Sequence, residues 1–231
     1  LKICLIQIFA ILALGTASAQ QITERELRAV WVTTAFNIDW PSASNLNSEE
    51  QKAEFIRLLE AHQGNGINAI FVQVRPAAEV FYESAFEPWS HWLTGLQGRP
   101  PQPYYDPLNF MLDECKKRNI SFHAWINPFR AVSNIDRVKV VENHITRQKP
   151  QWFVTYGQDV RKVYFNPGIP EARAYIVQMI LDIVHRYDVD GIHFDDYFYP
   201  VREGGVEFPD QAAFQIYNPS KLNKADWRRE N

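Results

Sequence analysis

The sequence predicts an α/β fold, a (β/α)8 barrel of which this chain holds about the first four β/α units. Three observations predict it. Four times an apolar strand pattern runs into a loop, and each loop leads on toward a helical pattern. No glycine-rich phosphate loop follows the first strand, where a doubly wound nucleotide-binding sheet would carry one. Polar residue types collect at the C-terminal end of each strand, which is where barrel enzymes build their sites.

The first strand is read at 27–34, from the run Leu-Arg-Ala-Val-Trp-Val-Thr-Thr. A capping box, Ser48-Glu49-Glu50-Gln51, opens its helix, with Phe55, Leu58 and Leu59 on one face. The second strand covers 69–74. The next helix begins at Asp106-Pro107, an N-cap followed by proline in the first turn, and carries Leu108, Met111, Leu112 and Cys115 as its apolar stripe. The third strand covers 120–126 and opens a long excursion to about Pro170, within which 152–156 and 163–165 suit a small hairpin. A helix over 170–187 directs Ala172, Ile176, Ile180, Ile183 and Val184 inward. The fourth strand follows at 189–196, and 225–229 begins another helix.

The first nineteen residues stand apart from this rhythm. Lys2 precedes an apolar run broken only by Gln7, and Ala17-Ser18-Ala19 ends it in the small residues that a signal peptidase accepts. The expected domain organisation is a signal peptide at 1–19 and the N-terminal part of a barrel at 20–231, stopping before a fifth strand. The run is short for a membrane span and has no cysteine at the cleavage point. Export to the periplasm or the extracellular space, with no stable membrane anchor, is therefore expected. Cleavage removes Cys4 and leaves Cys115, so no intrachain disulfide is expected.

A net charge of −3 gives no pull toward nucleic acid, and the sequence implies no cofactor and no metal. Aromatic residues make up 14% of the chain, a surplus suited to stacking on sugar rings as well as to filling a core.

Strand phase then sorts the candidates. On the fourth strand Ile192 and Phe194 share one face, and Gly191, His193 and Asp195 the other. The uniformly apolar face should meet the helices, which aims the second face into the barrel. The same rule sends His123, Trp125 and Asn127 of the third strand inward, with Phe71, Gln73 and Arg75 of the second. One cavity is thus expected to hold Gln73, Arg75, His123, Trp125, Asn127, His193 and Asp195, with Arg75 keeping Asp195 ionised. Asp195 suits a nucleophile or an oxocarbenium stabiliser, and Asp196, facing the other way, suits its orientation. Capping of loop amides by the pair is the structural alternative, and the two histidines read more readily as packed polar core than as catalytic groups. Trp89 and Trp92, with Trp40, Tyr197 and Tyr199, are candidate stacking platforms or a hydrophobic plug. A second carboxyl group could come from Glu79, Glu83, Glu87, Glu203 or Glu207, or from strands beyond Asn231.

The strings LRAVWVTT, GINAIFVQVRPAAEVFYESAFEPWSHWLTG, YDPLNFMLDECKKRNISFHAWINPFR and DGIHFDDYFYP resemble the family-10-like glycosylhydrolases, from about Glu26 to the last residue. The resemblance implies O-glycosyl hydrolysis by a secreted or envelope barrel, with a polysaccharide such as peptide-free peptidoglycan glycan strands as substrate. It carries over to Asp195-Asp196, Arg75 and Asn127. The chain departs from the family by stopping before the fifth strand, so this piece alone is expected to be inactive. Two alternatives stand beside it: a non-catalytic carbohydrate-binding barrel, and a metal-dependent hydrolase using His123, His193 and Asp195.

Overall fold

The computed structural model describes residues 26–195 and 198–231. The leader-like segment, Asp196 and Tyr197 lie outside the described residues. In chain order the elements are β1 (Ala29–Val32), α1 (Ser48–Gly64), β2 (Ala69–Arg75), α2 (His91–Thr94), α3 (Pro107–Lys117), β3 (Ser121–Ile126), β4 (Arg130–Val132) and α4 (Ile145–Gln148). They continue with β5 (Phe153–Tyr156), β6 (Lys162–Phe165), α5 (Pro170–Arg186), β7 (Gly191–Phe194), α6 (Gln211–Ile216) and α7 (Lys224–Glu230).

Strands β1, β2, β3 and β7 pair in that order, all parallel. The order never reverses, which is the winding of a barrel wall; a doubly wound sheet reverses at its switch point. The two faces differ as the phase requires. Ile70, Val72, Phe122, Ala124 and Ile126 are buried in the core that the helices share. The opposite face carries Trp31, Phe71, His123, Trp125 and His193, packed ring to ring at centroid distances of 4.4–5.8 Å. Trp31 remains 46% exposed on that face.

The helices follow from their ends and stripes. The capping box of α1 sits one residue earlier than expected: Asn47 is the N-cap and Glu50 returns to its amide, while Ser48 bonds to Pro103. Phe55 and Leu59 are buried as expected. Asp106 caps α3 and Pro107 opens it. Cys115 is a free, buried thiol there, and burial pushes its pKa up to about 12, which makes it a packing group. On α5 the inward stripe is Ala172, Ile176, Met179 and Ile183. Val184 is a correction: it is exposed, with Val177 and Leu181, on the far side of the helix. Met179 takes the inward place because 3.6-residue periodicity carries the stripe through 172, 176, 179 and 183. The expected hairpin is β5–β6, and β4 joins it to make a three-stranded antiparallel sheet beside the barrel wall. Among the described residues no helix is long and apolar enough to cross a membrane.

Gly191 shows how tightly the inner face is packed. A Cβ added there would lie 2.4 Å from Nδ1 of His123, its partner across the strand pair. The imidazole cannot swing aside easily, since Phe71 packs on it at 4.7 Å. Gly191→Ala is expected to cost about 1–3 kcal/mol, read as a lower Tm in thermal melts; an unchanged Tm would show that the inner face is loosely filled.

Candidate functional site

At the C-terminal ends of the strands a chain of side-chain amides crosses the wall. Gln73 Oε1 accepts from the backbone amides of Thr34 at 3.0 Å and Ala35 at 2.9 Å. Gln73 Nε2 donates to Asn127 Oδ1 at 2.6 Å, and Asn127 Nδ2 donates to the backbone carbonyl of Asp195 at 3.3 Å. Both amides are 2% exposed. They point inward as the phase requires. They do not line an open cavity, however, because each is spent on joining one strand end to the next.

Arg75 is a second correction. The β2–β3 register shifts between Gln73 and Arg75, so Gln73 pairs with Trp125 but Arg75 pairs with Ile126, an outward residue. One extra residue in a strand inverts the parity that follows it. Arg75 is consequently fully buried on the helix side, in a fork-to-fork pair with Glu87 at 2.6 and 2.7 Å. Its Nη1 donates to the carbonyls of Asn127 at 2.5 Å and Pro128 at 3.1 Å. Arg75 thus holds the β3 strand end from behind and is not the cation expected beside Asp195.

Asp195 lies just past β7, exposed, with its amide on the carbonyl of Ile126 and its own carbonyl held by Asn127. Among the described residues its carboxylate has no hydrogen-bond partner. Strand alternation from His193 turns it toward the aromatic face. The other carboxyl candidates are engaged. Glu79 and Glu87 are buried. Glu79 accepts from Ser90, His91 and Gln97, and Glu87 pairs with Arg75. Burial pushes Glu79 up, but the bonds from His91, Gln97 and Ser90 outweigh it and hold the carboxyl below its usual range. Burial also pushes Glu87 upward, against the pull of Arg75. Glu83 accepts from Tyr104, Glu203 from the amide of Gln158, and Glu207 bridges Arg202 and Lys224.

The aromatic candidates separate into three groups. Trp40 is fully buried against Phe55 and Phe81, its indole N–H on the carbonyl of Gln51; as a stacking platform it is corrected to a core residue. Trp89 is half-buried edge-on to Tyr104, and Tyr199 packs on Phe208. Trp92 keeps an open side and leans on Phe36, a residue that sequence reasoning passed over. On the inner face Trp125 is 6% exposed, and its indole N–H has no partner among the described residues. His123 and His193 pack there against Phe71, their rings tilted by 46° and 60° to it. Among the described residues no three His, Cys, Asp or Glu side chains converge as a metal site, so His123, His193 and Asp195 do not assemble as one.

His144, beside Glu79 and Arg75 in the wall of the loop layer, is 0% exposed and caps α4. Burial holds its pKa down at about 4, against an ordinary 6.5. The unfolded chain therefore takes up the proton first. Stability from neutral His144 is complete above pH 6.5 and is lost as pH falls through about 4, a loss of about 3 kcal/mol by linkage. His144→Asn keeps a cap and should flatten that acid limb in melts across this range; an unchanged limb would assign it to other groups.

A family model described as glycosyl hydrolase-like 10 matches residues 26–231. The chain is 50% identical over 217 residues to glycosyl hydrolase YngK of Bacillus subtilis (strain 168), covering 93% of this chain and 41% of that protein. It is 35% identical over 228 residues to glycosyl hydrolase DigH of Escherichia coli (strain K12), covering 93% of this chain and 51% of that one. The chain thus spans about half the length of these relatives. Among solved structures, a maltogenic α-amylase AmyB from Thermotoga neapolitana aligns at TM-score 0.48 and 16% identity, over 84% of this chain and 44% of that one. A hypothetical protein from Ruminiclostridium thermocellum aligns at TM-score 0.47 and 16% identity, over 84% and 93%.

Proposed function

Because the chain belongs to the glycosyl hydrolase-like 10 family, we propose that the full-length protein is a glycoside hydrolase in which Asp195 acts at the mouth of the parallel sheet. The observation that carries this reading is the contrast among the carboxylates. Five glutamates near the strand ends and loops are bonded to neighbours, while Asp195 is exposed, unpaired among the described residues and set at the end of an inward-facing strand position. A carboxylate so placed can attack an anomeric carbon or stabilise the positive charge that develops there.

Around it the wall offers the groups a sugar needs. The half-exposed ring of Trp31, met edge to face by Trp125 and His193, offers an apolar surface beside it. Asn127 fixes the backbone of Asp195 through its carbonyl, so the carboxylate is aimed without being neutralised. The second carboxyl that hydrolysis requires is proposed to come from further β/α units. We place the substrate among cell-wall glycan strands or a related polysaccharide, and the protein outside the cytoplasm, on the family resemblance and the leader-like residues 1–19.

The test is to incubate the full-length protein with peptide-free glycan strands and measure new reducing ends. Their appearance supports the hydrolase. Tight binding without new ends would instead support a carbohydrate-binding barrel.

A further inference from the structure

The loop after β1 holds an arrangement that packing does not account for. Phe36 has φ 59° and ψ 16°, and Asn37 follows with φ 52°. Left-handed backbone is tolerated by asparagine but is an outlier for a bulky aromatic. The ring gains little burial in exchange, since Phe36 stays 59% exposed. Strain of this kind persists where surrounding structure over-determines it, and here it does. Asn37 Nδ2 donates to the carbonyls of Pro41 and Trp92, both at 2.8 Å, which ties the β1 loop to the β2 loop. The outcome is a pair of rings, Phe36 and Trp92, 4.9 Å apart and tilted by 49°. His91 lies against Trp92 at 4.1 Å, and its Nδ1 is held by buried Glu79 at 2.9 Å. Nε2 is then the ring nitrogen left for a ligand.

We propose that Phe36, Trp92 and His91 form a remote glycan subsite that stacks one sugar ring of a long strand. The proposal rests on the glycan-directed function above and deepens it. A pyranose offers a face of C–H bonds, which the electron-rich ring faces attract, and an edge of hydroxyls, which an imidazole nitrogen can meet. A rigid, ring-sized apolar surface bordered by one polar atom suits that ligand. The subsite lies over β1 and β2, whereas Asp195 ends β7 at the other edge of the sheet. Three strand spacings of about 4.8 Å put roughly 14 Å between the two edges. A sugar on Phe36 is therefore a few units away from the bond that is cut, and the subsite grips the strand without touching the reaction.

The test uses Phe36→Ala, Phe36→Gly and Phe36→Trp in the full-length protein, with peptide-free glycan strands as the probe. Phe36→Ala and Phe36→Gly should weaken strand binding about tenfold and raise KM alike, with kcat unchanged, and Phe36→Trp should restore both. Phe36→Gly removes the strain together with the ring, so its Tm should match or exceed wild type and its lost affinity cannot be put down to unfolding. Wild-type binding by both small variants, or failure of the wild type to bind strands, overturns the subsite. Weak binding by the variants in a protein that never cuts would sustain the subsite and overturn the hydrolase.

Discussion

Asp195→Asn in the full-length protein is expected to lower kcat on peptide-free glycan strands by about a thousandfold or more while leaving KM and Tm close to wild type. The change is isosteric, and the carboxylate has no partner among the described residues whose loss could unsettle the fold. What disappears is the negative charge that attacks or stabilises the anomeric centre, an interaction realised only as the transition state forms. Asp196→Asn should cost less, because the sequence pattern predicts for it an orienting role and not a place on the face of His193 and Asp195. Parallel assays of reducing ends decide the matter. Full activity in Asp195→Asn with an inactive Asp196→Asn would show that the strand phase is inverted at this end. Activity in both would place the chemistry elsewhere.

The second large effect concerns stability. Glu87→Ala is expected to destabilise the protein by about 3–5 kcal/mol, because it leaves the guanidinium of fully buried Arg75 without its fork-to-fork partner. In a chain of this size that is a fall in Tm of about 6–20 °C, measurable by calorimetry. The double change Arg75→Met with Glu87→Leu should recover much of the loss, since it removes both charges together. A Glu87→Ala protein with unchanged Tm but a raised KM would mean that Arg75 faces the substrate after all.

Much of the wall was legible in the sequence because it rests on alternation. Ile70, Val72, Phe122, Ala124 and Ile126 keep one parity, and that parity alone predicted the inward set of Phe71, His123, Trp125 and His193. Arg75 escaped because parity is a local rule, and the extra residue before it resets the count with no signature in the composition. Trp40 escaped for a different reason. An aromatic in a loop reads as a platform, yet this loop folds back on α1 and gives its indole N–H to Gln51. Phe36 left only the faint mark of a following asparagine, a residue at ease with positive φ. Glu87 stood in the sequence as one carboxyl among several, and only the fold shows that Arg75 consumes it.

The amide chain from Thr34 through Gln73 and Asn127 to Asp195 also has a direction. Each amide accepts on the β1 side and donates on the β7 side, so a flip end for end would break three bonds at Gln73 and two at Asn127. Such a chain behaves like a tolerance stack in a machined assembly: the position of its last member is the sum of the fits before it. The carbonyl of Asp195 is located from β1, three strands away, and an error of a few tenths of an ångström at Thr34 or Gln73 would be handed along to Asp195.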